Sequence, residues 1–290
     1  MQQTITLDRR QSTWTALGAT SRRGRAMWMV AFSCLLLAAL YLGSRLMDDS
    51  GLETNFMLRN HSPSATHLFG TDWLGRDMFT RTIKGLCLSL GIGMVAAACS
   101  TVIALTLGLS AAVFGKKVDA LVTGLIDVMI STPHLVLLIL ISFAVGGGGK
   151  GVIIAVAATH WTRLARIVRA EVLQLKNAEF VQLSKKLGRR PVWICRHHLL
   201  PHLFPQFFVG LILLFPHAIM HAAGLTFLGF GLSPHTPAIG VLLSEAMRHL
   251  STGYWWLAVP PGLMLLIFVK LFDLLGNGLR YLLDPKTSQE

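Results

Sequence analysis

Long apolar stretches separated by short polar segments form the main pattern along this 290-residue chain. A helix needs roughly 20 mostly apolar residues to cross the hydrocarbon of a bilayer, and six stretches reach that length. We therefore predict an all-α integral membrane protein with six transmembrane helices, the third kinked at Pro133. The predicted spans are Met27–Leu46, Gly85–Phe114, Val118–Val145, Gly151–Leu173, Leu203–Phe230 and Trp256–Leu282.

Composition supports lipid as the solvent of these stretches. Hydrophobic residues make up 53% of the chain, charged residues only 14%, and the mean hydropathy is +0.57. A soluble domain of this size cannot bury so much apolar surface. No nucleotide-binding or zinc-ligand spacing is present; the glycine run at Gly146–Gly151 lacks the Ser or Thr that a phosphate loop needs after its lysine. We therefore expect the chain itself to bind no cofactor.

The net charge of +12 is distributed unevenly between the segments that connect the spans. If the amino terminus is cytoplasmic, eighteen of the 26 lysines and arginines fall on the cytoplasmic side and seven on the other. This bias follows the positive-inside rule and favours a topological cause over nucleic-acid binding. The predicted organisation is a cytoplasmic tail (1–26), a first helix (27–46), an external loop (47–84), a core of five helices (85–282) and a cytoplasmic tail (283–290).

The cytoplasmic segment 177–202 combines basic residues with an apolar stripe of helical spacing. Gly188 is expected to end one helix and Pro191 to begin the next. The residues alone allow two interpretations: a helix lying on anionic lipid, or a docking helix for a soluble partner. In the second interpretation, Gly188 permits a tight turn that a side chain would obstruct.

The same segment has the spacing of a motif found in importer permeases: Glu-Ala-Ala, three residues, Gly, nine residues, Ile, one residue, Leu-Pro. Gly188 and the pair Leu200–Pro201 match this spacing. Residues 182–184 depart from Glu-Ala-Ala, and His198 stands where isoleucine is usual.

Three further sequences support the resemblance. Gly70–Asp77 resembles the Gly-Thr-Asp-x-x-Gly-Arg-Asp signature of dipeptide, oligopeptide and nickel permeases, Leu225–Gly231 resembles their Leu-Ser-Phe-Leu-Gly-Leu-Gly, and Leu275–Arg280 resembles their carboxyl end. The chain thus resembles the second of the two paired permease subunits in binding-protein-dependent ABC importers, closest to the nickel or metallophore branch.

The resemblance implies the type I ABC importer permease fold, no enzymatic activity in this chain, and a place in a bacterial inner membrane. It also implies three kinds of protein partner besides membrane lipid, and no nucleic acid: a paralogous permease, two ATP-binding subunits that carry ATP and Mg, and an external solute-binding protein. Its implied ATPase-coupling residues are Glu179, Gln182, Leu183, Ser184, Gly188, Leu200 and Pro201, and its external-loop motif consists of Gly70, Thr71, Asp72, Gly75, Arg76 and Asp77.

Two histidines in the fifth span indicate the solute. His217 and His221 are four residues apart, so they share one helical face, and imidazole suits nickel, cobalt, copper and zinc. We expect transient metal contact there and favour a transition metal, free or chelated, over a peptide. His134 and Asp127 complete the predicted substrate pathway, although His134 and His160 are each expected to be isolated packed histidines. Asp127 should turn toward the pore or a partner helix.

Two other classes of protein remain as alternatives. A secondary transporter or channel would move solute without ATPase partners, but no inverted repeat is visible in the sequence. An intramembrane metalloenzyme would need a third metal ligand and a general base, and no His-Glu-x-x-His pattern is present.

Overall fold

Ten α-helices account for most of residues 11–283, the part of the chain that this computed structural model describes. Short 3₁₀ turns connect several of them, and a π-helical segment, Cys195–Leu199, joins α7 to α8. Of the two predicted tails, residues 1–10 and 284–290 lie outside the described residues. The helices are α1 (Gln11–Leu46), α2 (Met78–Val113), α3 (Lys116–Ser131), α4 (His134–Ala144), α5 (Gly148–Leu175), α6 (Glu179–Lys186), α7 (Pro191–Ile194), α8 (Leu200–Phe227), α9 (Ile239–Met247) and α10 (Val259–Leu283).

Five of these helical segments are long and apolar enough to cross a membrane, and α3 with α4 makes a sixth if the pair counts as one span. The pair is bent by 103° at Thr132 and Pro133. Proline disfavours helical backbone at the residue before it, and Thr132 is extended with ψ 138°. The predicted kink in the third span is therefore a complete break of the helix.

The second span begins earlier than predicted. We expected it to begin at Gly85, but α2 starts at Met78 because Asp77 caps it: the Asp77 carboxylate accepts a hydrogen bond of 2.8 Å from the Thr80 N–H. The first two turns of α2 therefore belong to the segment that was predicted to be external loop.

Large apolar side chains cover much of the outer surface of the helices. Trp28 on α1 is 78% exposed and Phe143 on α4 is 75% exposed. Monomeric soluble proteins do not leave so much large apolar surface in water, whereas hydrocarbon tails solvate it. The surface therefore agrees with the prediction of a membrane-embedded bundle.

Most of the described interior falls into two apolar clusters along α2, with a smaller third around Met78 and Trp256. The first contains Leu86, Ala96 and Phe215. The second, which we call the inner cluster, begins at Ala104 and includes Val168 and Leu199. Small residues let α2 and α5 approach each other closely. A Cβ added at Gly108 on α2 would lie 2.7 Å from the carbonyl oxygen of Ala165 on α5.

An ion pair ties α3 to the same scaffold. Arg169 on α5 donates hydrogen bonds of 2.5 and 2.6 Å to the two carboxylate oxygens of Asp119 on α3. Such a bidentate contact fixes the relative orientation of the two side chains.

Candidate functional site

Three histidines from three different helices meet inside the bundle. His134 is the first residue of α4, immediately after the break at Pro133, while His160 lies in the middle of α5 and His221 in α8. Their ring centroids are 4.7 to 5.0 Å apart in all three pairs. One ring nitrogen from each lies within 4.8 Å of the others. We call these residues the three-histidine cluster.

His160 is held in place by its own helix. Its Nδ1 lies 3.1 Å from the Val156 carbonyl oxygen and 3.1 Å from the Thr159 hydroxyl. Since a carbonyl only accepts, the bond to Val156 requires a proton on Nδ1 and leaves the Nε2 lone pair free. Nε2 is buried and has no hydrogen-bond partner among the described residues.

The cluster differs from the histidine pair that the sequence indicated. His221 belongs to it, but His217, one helical turn away, is exposed and lies outside the group. The expectation that His134 and His160 are isolated is wrong, because their rings contact each other and His221. Sequence spacing gave no signal for this meeting, since the three residues come from separate helices.

Asp127 lies away from the cluster and faces a partner helix. It accepts a hydrogen bond of 2.6 Å from Arg166 on α5, and both side chains are more than half exposed. Of the two surroundings expected for Asp127, the structure therefore shows the partner helix.

The external-loop motif forms a closed hydrogen-bonding network around one carboxylate. Asp72, which is 1% exposed, accepts bonds from the Leu74 and Arg76 backbone N–H groups at 2.8 and 2.9 Å. Its other oxygen accepts from Arg76 Nε at 2.7 Å and from Arg81 Nη1 at 2.6 Å. A buried carboxylate with these four donors is fully used, so it is a structural group and not a ligand for solute.

The network also joins distant parts of the chain. Arg81 on α2 donates a second hydrogen bond, of 2.9 Å, to Glu245 on α9, and the Trp256 indole donates one of 3.2 Å to the Thr71 carbonyl. The motif therefore fastens the external segment to α2, to α9 and to the start of the last span.

The two glycines of the motif occupy positions that no other residue fits. Gly70 and Gly75 both have positive φ, of 68° and 78°. A Cβ at Gly75 would lie 1.7 Å from the Asn55 carbonyl oxygen, and one at Gly70 would lie 2.6 Å from that of His61. Close backbone contact explains why the motif carries glycine at both places.

The coupling segment, residues 177–202, folds against the inner apolar cluster. The predicted breaks are confirmed: α6 ends at Lys186, Gly188 follows in the turn, and Pro191 begins α7. Val181 is fully buried, and Ile194 and Leu199 are nearly so. The segment is thus packed against the helical bundle through these three side chains.

Gly188 permits the turn as expected, but through its backbone angle and not by avoiding a neighbouring atom. A Cβ there would meet no atom within 4 Å, so a side chain would obstruct nothing. The residue has φ +76°, a left-handed conformation that disfavours residues with a Cβ, and this backbone angle is the reason for glycine.

Two departures from the family motif contact each other. The Ser184 hydroxyl and His198 Nε2, which stand where alanine and isoleucine are usual, share a hydrogen bond of 2.9 Å. A third departure, Gln182, donates a hydrogen bond of 2.7 Å to the Lys176 carbonyl. Between positions 184 and 198, a polar contact therefore replaces the apolar contact expected of alanine and isoleucine.

The outer face of the coupling segment exposes apolar side chains among basic ones. Leu183, Leu187 and Val192 are 59%, 71% and 65% exposed, and Lys185 and Lys186 flank them. The remaining predicted coupling residues lie at helix starts: Glu179 begins α6, and Leu200 and Pro201 begin α8.

The chain is similar in sequence to known transport proteins. A family model described as "Binding-protein-dependent transport system inner membrane component" matches residues 104–289. The dipeptide transport system permease protein DppC of Bacillus subtilis is 34% identical over 95% of this chain and 85% of its own length. The nickel transport system permease protein NikC of Escherichia coli is 36% identical over 77% of this chain and 80% of its own.

The fold also resembles a solved transporter. An inward-facing structure of the MetNI methionine ABC transporter matches with a TM-score of 0.59 and 20% sequence identity, covering 71% of this chain and 98% of that chain. At this identity, the likeness concerns the fold alone.

The family model covers more than half of the chain, the relatives match it over most of its length, and the helical bundle with apolar surfaces agrees with both. The chain belongs to the inner-membrane components of binding-protein-dependent transport systems: it is a permease subunit of an ABC importer, in which separate subunits hydrolyse ATP.

Proposed function

We propose that this permease imports dipeptides or oligopeptides. The observation that carries the proposal is the similarity to the DppC dipeptide permease, which extends over 95% of the chain, with 35% identity to the oligopeptide permease OppC of Bacillus subtilis over 80% of it. The nickel relative covers less of the chain. This support favours peptide over the transition metal expected from His217 and His221.

In this proposal, the chain works with a second permease of the same family, two ATP-binding subunits and an external solute-binding protein. ATP and Mg are held by the ATP-binding subunits, and both termini of this chain are cytoplasmic. The bias of basic residues supports that orientation.

The coupling segment would receive the movement of the ATP-binding subunits. Its exposed leucines and valine offer apolar contacts, and its lysines offer charge, while Val181 and Leu199 anchor it in the inner cluster. Coupling requires an element whose contacts differ between two global states. Because the segment packs against α2, α5 and α8, a displacement of the segment would also move these helices.

The test is uptake by cells with and without the gene. A deletion strain, the same strain carrying the wild-type gene, and the parent are each given a labelled dipeptide, a labelled tetrapeptide or labelled nickel. We expect deletion to abolish uptake of at least one peptide and the wild-type gene to restore it, with nickel uptake unchanged. Loss of nickel uptake with full retention of peptide uptake would contradict the proposal.

One observation favours a second candidate, a transition metal, free or as a chelate. It is the three-histidine cluster, whose ring nitrogens converge inside the bundle. The nickel arm of the same experiment distinguishes this candidate from the first.

A further inference from the structure

We infer that His134, His160 and His221 form a binding site for one divalent transition-metal ion within the membrane-embedded bundle. The site goes beyond the proposed function, since peptide translocation needs no metal. It follows from the arrangement of the three side chains, whichever solute the importer carries.

The spacing of the ligand atoms is close to that of a metal site. One ring nitrogen from each histidine lies within 4.8 Å of the others. With metal–nitrogen bonds of about 2.1 Å, tetrahedral ligands are about 3.4 Å apart. To bind one ion, the three side chains would have to shorten these separations by up to about 1.4 Å.

His160 is already arranged as a metal ligand. Its Nδ1–H is occupied by the Val156 carbonyl at 3.1 Å, which directs the lone pair of Nε2 away from the helix backbone. Metal-bound histidines almost always have such a partner on the second ring nitrogen, because it fixes the tautomer and the ring orientation.

The unpaired nitrogen of His160 argues against a purely packed cluster. The three rings meet edge to face, at interplanar angles of 68 to 70°, which neutral aromatic rings also favour. Packing alone, however, leaves Nε2 buried with no partner among the residues that the structure describes. A buried polar atom of this kind calls for an explanation, and a metal–nitrogen bond supplies one.

The ligand set identifies the class of ion. Three imidazoles suit nickel, copper, zinc and cobalt, whereas magnesium and calcium prefer oxygen ligands. The group contains no carboxylate, and Asp127, the acidic residue predicted for the substrate pathway, is paired with Arg166. Three protein ligands also leave a coordination position open for water or for a donor atom of a solute.

A bound ion would join three separate elements. His134 begins α4 directly after the 103° break, and α5 and α8 carry the other two ligands. The ion would therefore fix the short helix α4 to the long helices of the bundle.

Metal binding to the purified transporter tests the inference without any transport assay. The whole complex, purified through a tag that contains no histidine, is equilibrated with nickel, cobalt or zinc chloride and freed of unbound metal. Its metal content is then compared with that of a variant in which all three histidines are glutamine. We expect a difference of one ion per copy of this chain. Cobalt should show the intense visible absorption of a tetrahedral site.

Single variants identify the ligands. His134→Gln, His160→Gln and His221→Gln should each weaken binding by at least about tenfold, the lower end of the effect of removing a second-shell partner. His235→Gln, which alters an exposed histidine outside the bundle, is the matched control and should leave binding unchanged.

Two results would overturn the inference. One is equal metal content in the wild type and the triple variant, with no tetrahedral cobalt spectrum in the wild type. The other is loss of binding in His217→Gln and His221→Gln but not in the other two variants, which would place the ion on the α8 pair instead. Peptide uptake is measured separately, so failure here leaves the proposed function standing.

Discussion

A buried carboxylate organises the segment that the sequence predicts to be an external loop. Asp72 accepts hydrogen bonds from two backbone amides and two arginines, and Arg81 carries the network on to Glu245. Arg81 is itself 2% exposed, so its charge depends on these two acids for compensation. Removing one partner of a buried ion pair costs far more than the pair contributes, because the remaining charge is left uncompensated.

Asp72→Ala should therefore destabilise the transporter strongly. Loss of a buried partner costs about 3–5 kcal/mol, and the unfolding temperature of the purified complex measures it. Glu53→Ala, which alters an exposed acid in the same segment, is the control and should have little effect. Equal unfolding temperatures for Asp72→Ala and the wild type would show that the network is dispensable.

Gly188 offers a second test at the same scale. Its left-handed backbone costs most residues about 1–2 kcal/mol, while asparagine visits that region more readily. We expect Gly188→Val to lower uptake per ATP hydrolysed and Gly188→Asn to keep most of it.

The matched control for this pair is Gly124→Val, since Gly124 also has open space around it but lacks the positive φ. A Cβ at Gly188 would contact no other residue, so Gly188→Val tests the effect of the backbone angle and not of a steric clash. Normal coupling in Gly188→Val would remove the turn from the coupling mechanism.

Among the elements, the coupling segment depends most on its surroundings. Helix α6 has eight residues, and isolated helices shorter than about 12–15 residues are marginal in water. Its stability comes from burial of Val181 and from the hydrogen bond between Ser184 and His198, which joins α6 to the π-helical segment.

This bond predicts non-additive mutations. Ser184→Ala alone leaves His198 without its partner, and His198→Ile alone places an apolar side chain beside a hydroxyl. The double variant restores the apolar pair usual in the family motif. We expect its loss in unfolding temperature to be smaller than the sum of the single losses, with a coupling free energy of about 1 kcal/mol.

In this experiment, the sum of the two single losses is the reference against which the loss in the double variant is compared. Strictly additive losses would mean that the 2.9 Å contact contributes nothing to the stability of the segment.

Local signals were enough to predict most of the architecture of the whole molecule. Apolar length predicted the spans, and Gly188 and Pro191 marked the breaks in the coupling segment, because these effects act within a few residues. The start of α2 was missed because the signal was the capping side chain of Asp77, at the end of a polar segment. A proline indicated the position of the break before α4 but not the 103° angle between α3 and α4, because a proline does not fix the direction in which the chain continues.

The three-histidine cluster lies beyond such local reasoning. The spacing of His217 and His221 predicts that they share a helical face, but it does not show which histidines on other helices come close to them. His160 and His134 reach His221 only because α4, α5 and α8 cross at one point. Such a meeting depends on tertiary packing of three separate helices, which the spacing of residues within one helix does not reveal.

The length of α2 has a mechanical consequence. Its 36 residues extend about 54 Å, from the network around Asp72 to the cluster that holds the coupling segment. An unbroken helix is stiff along its axis, so a tilt imposed at one end reaches the other. If α2 tilts about any point between its ends, the end beside α6 and the end beside Asp72 move in opposite directions.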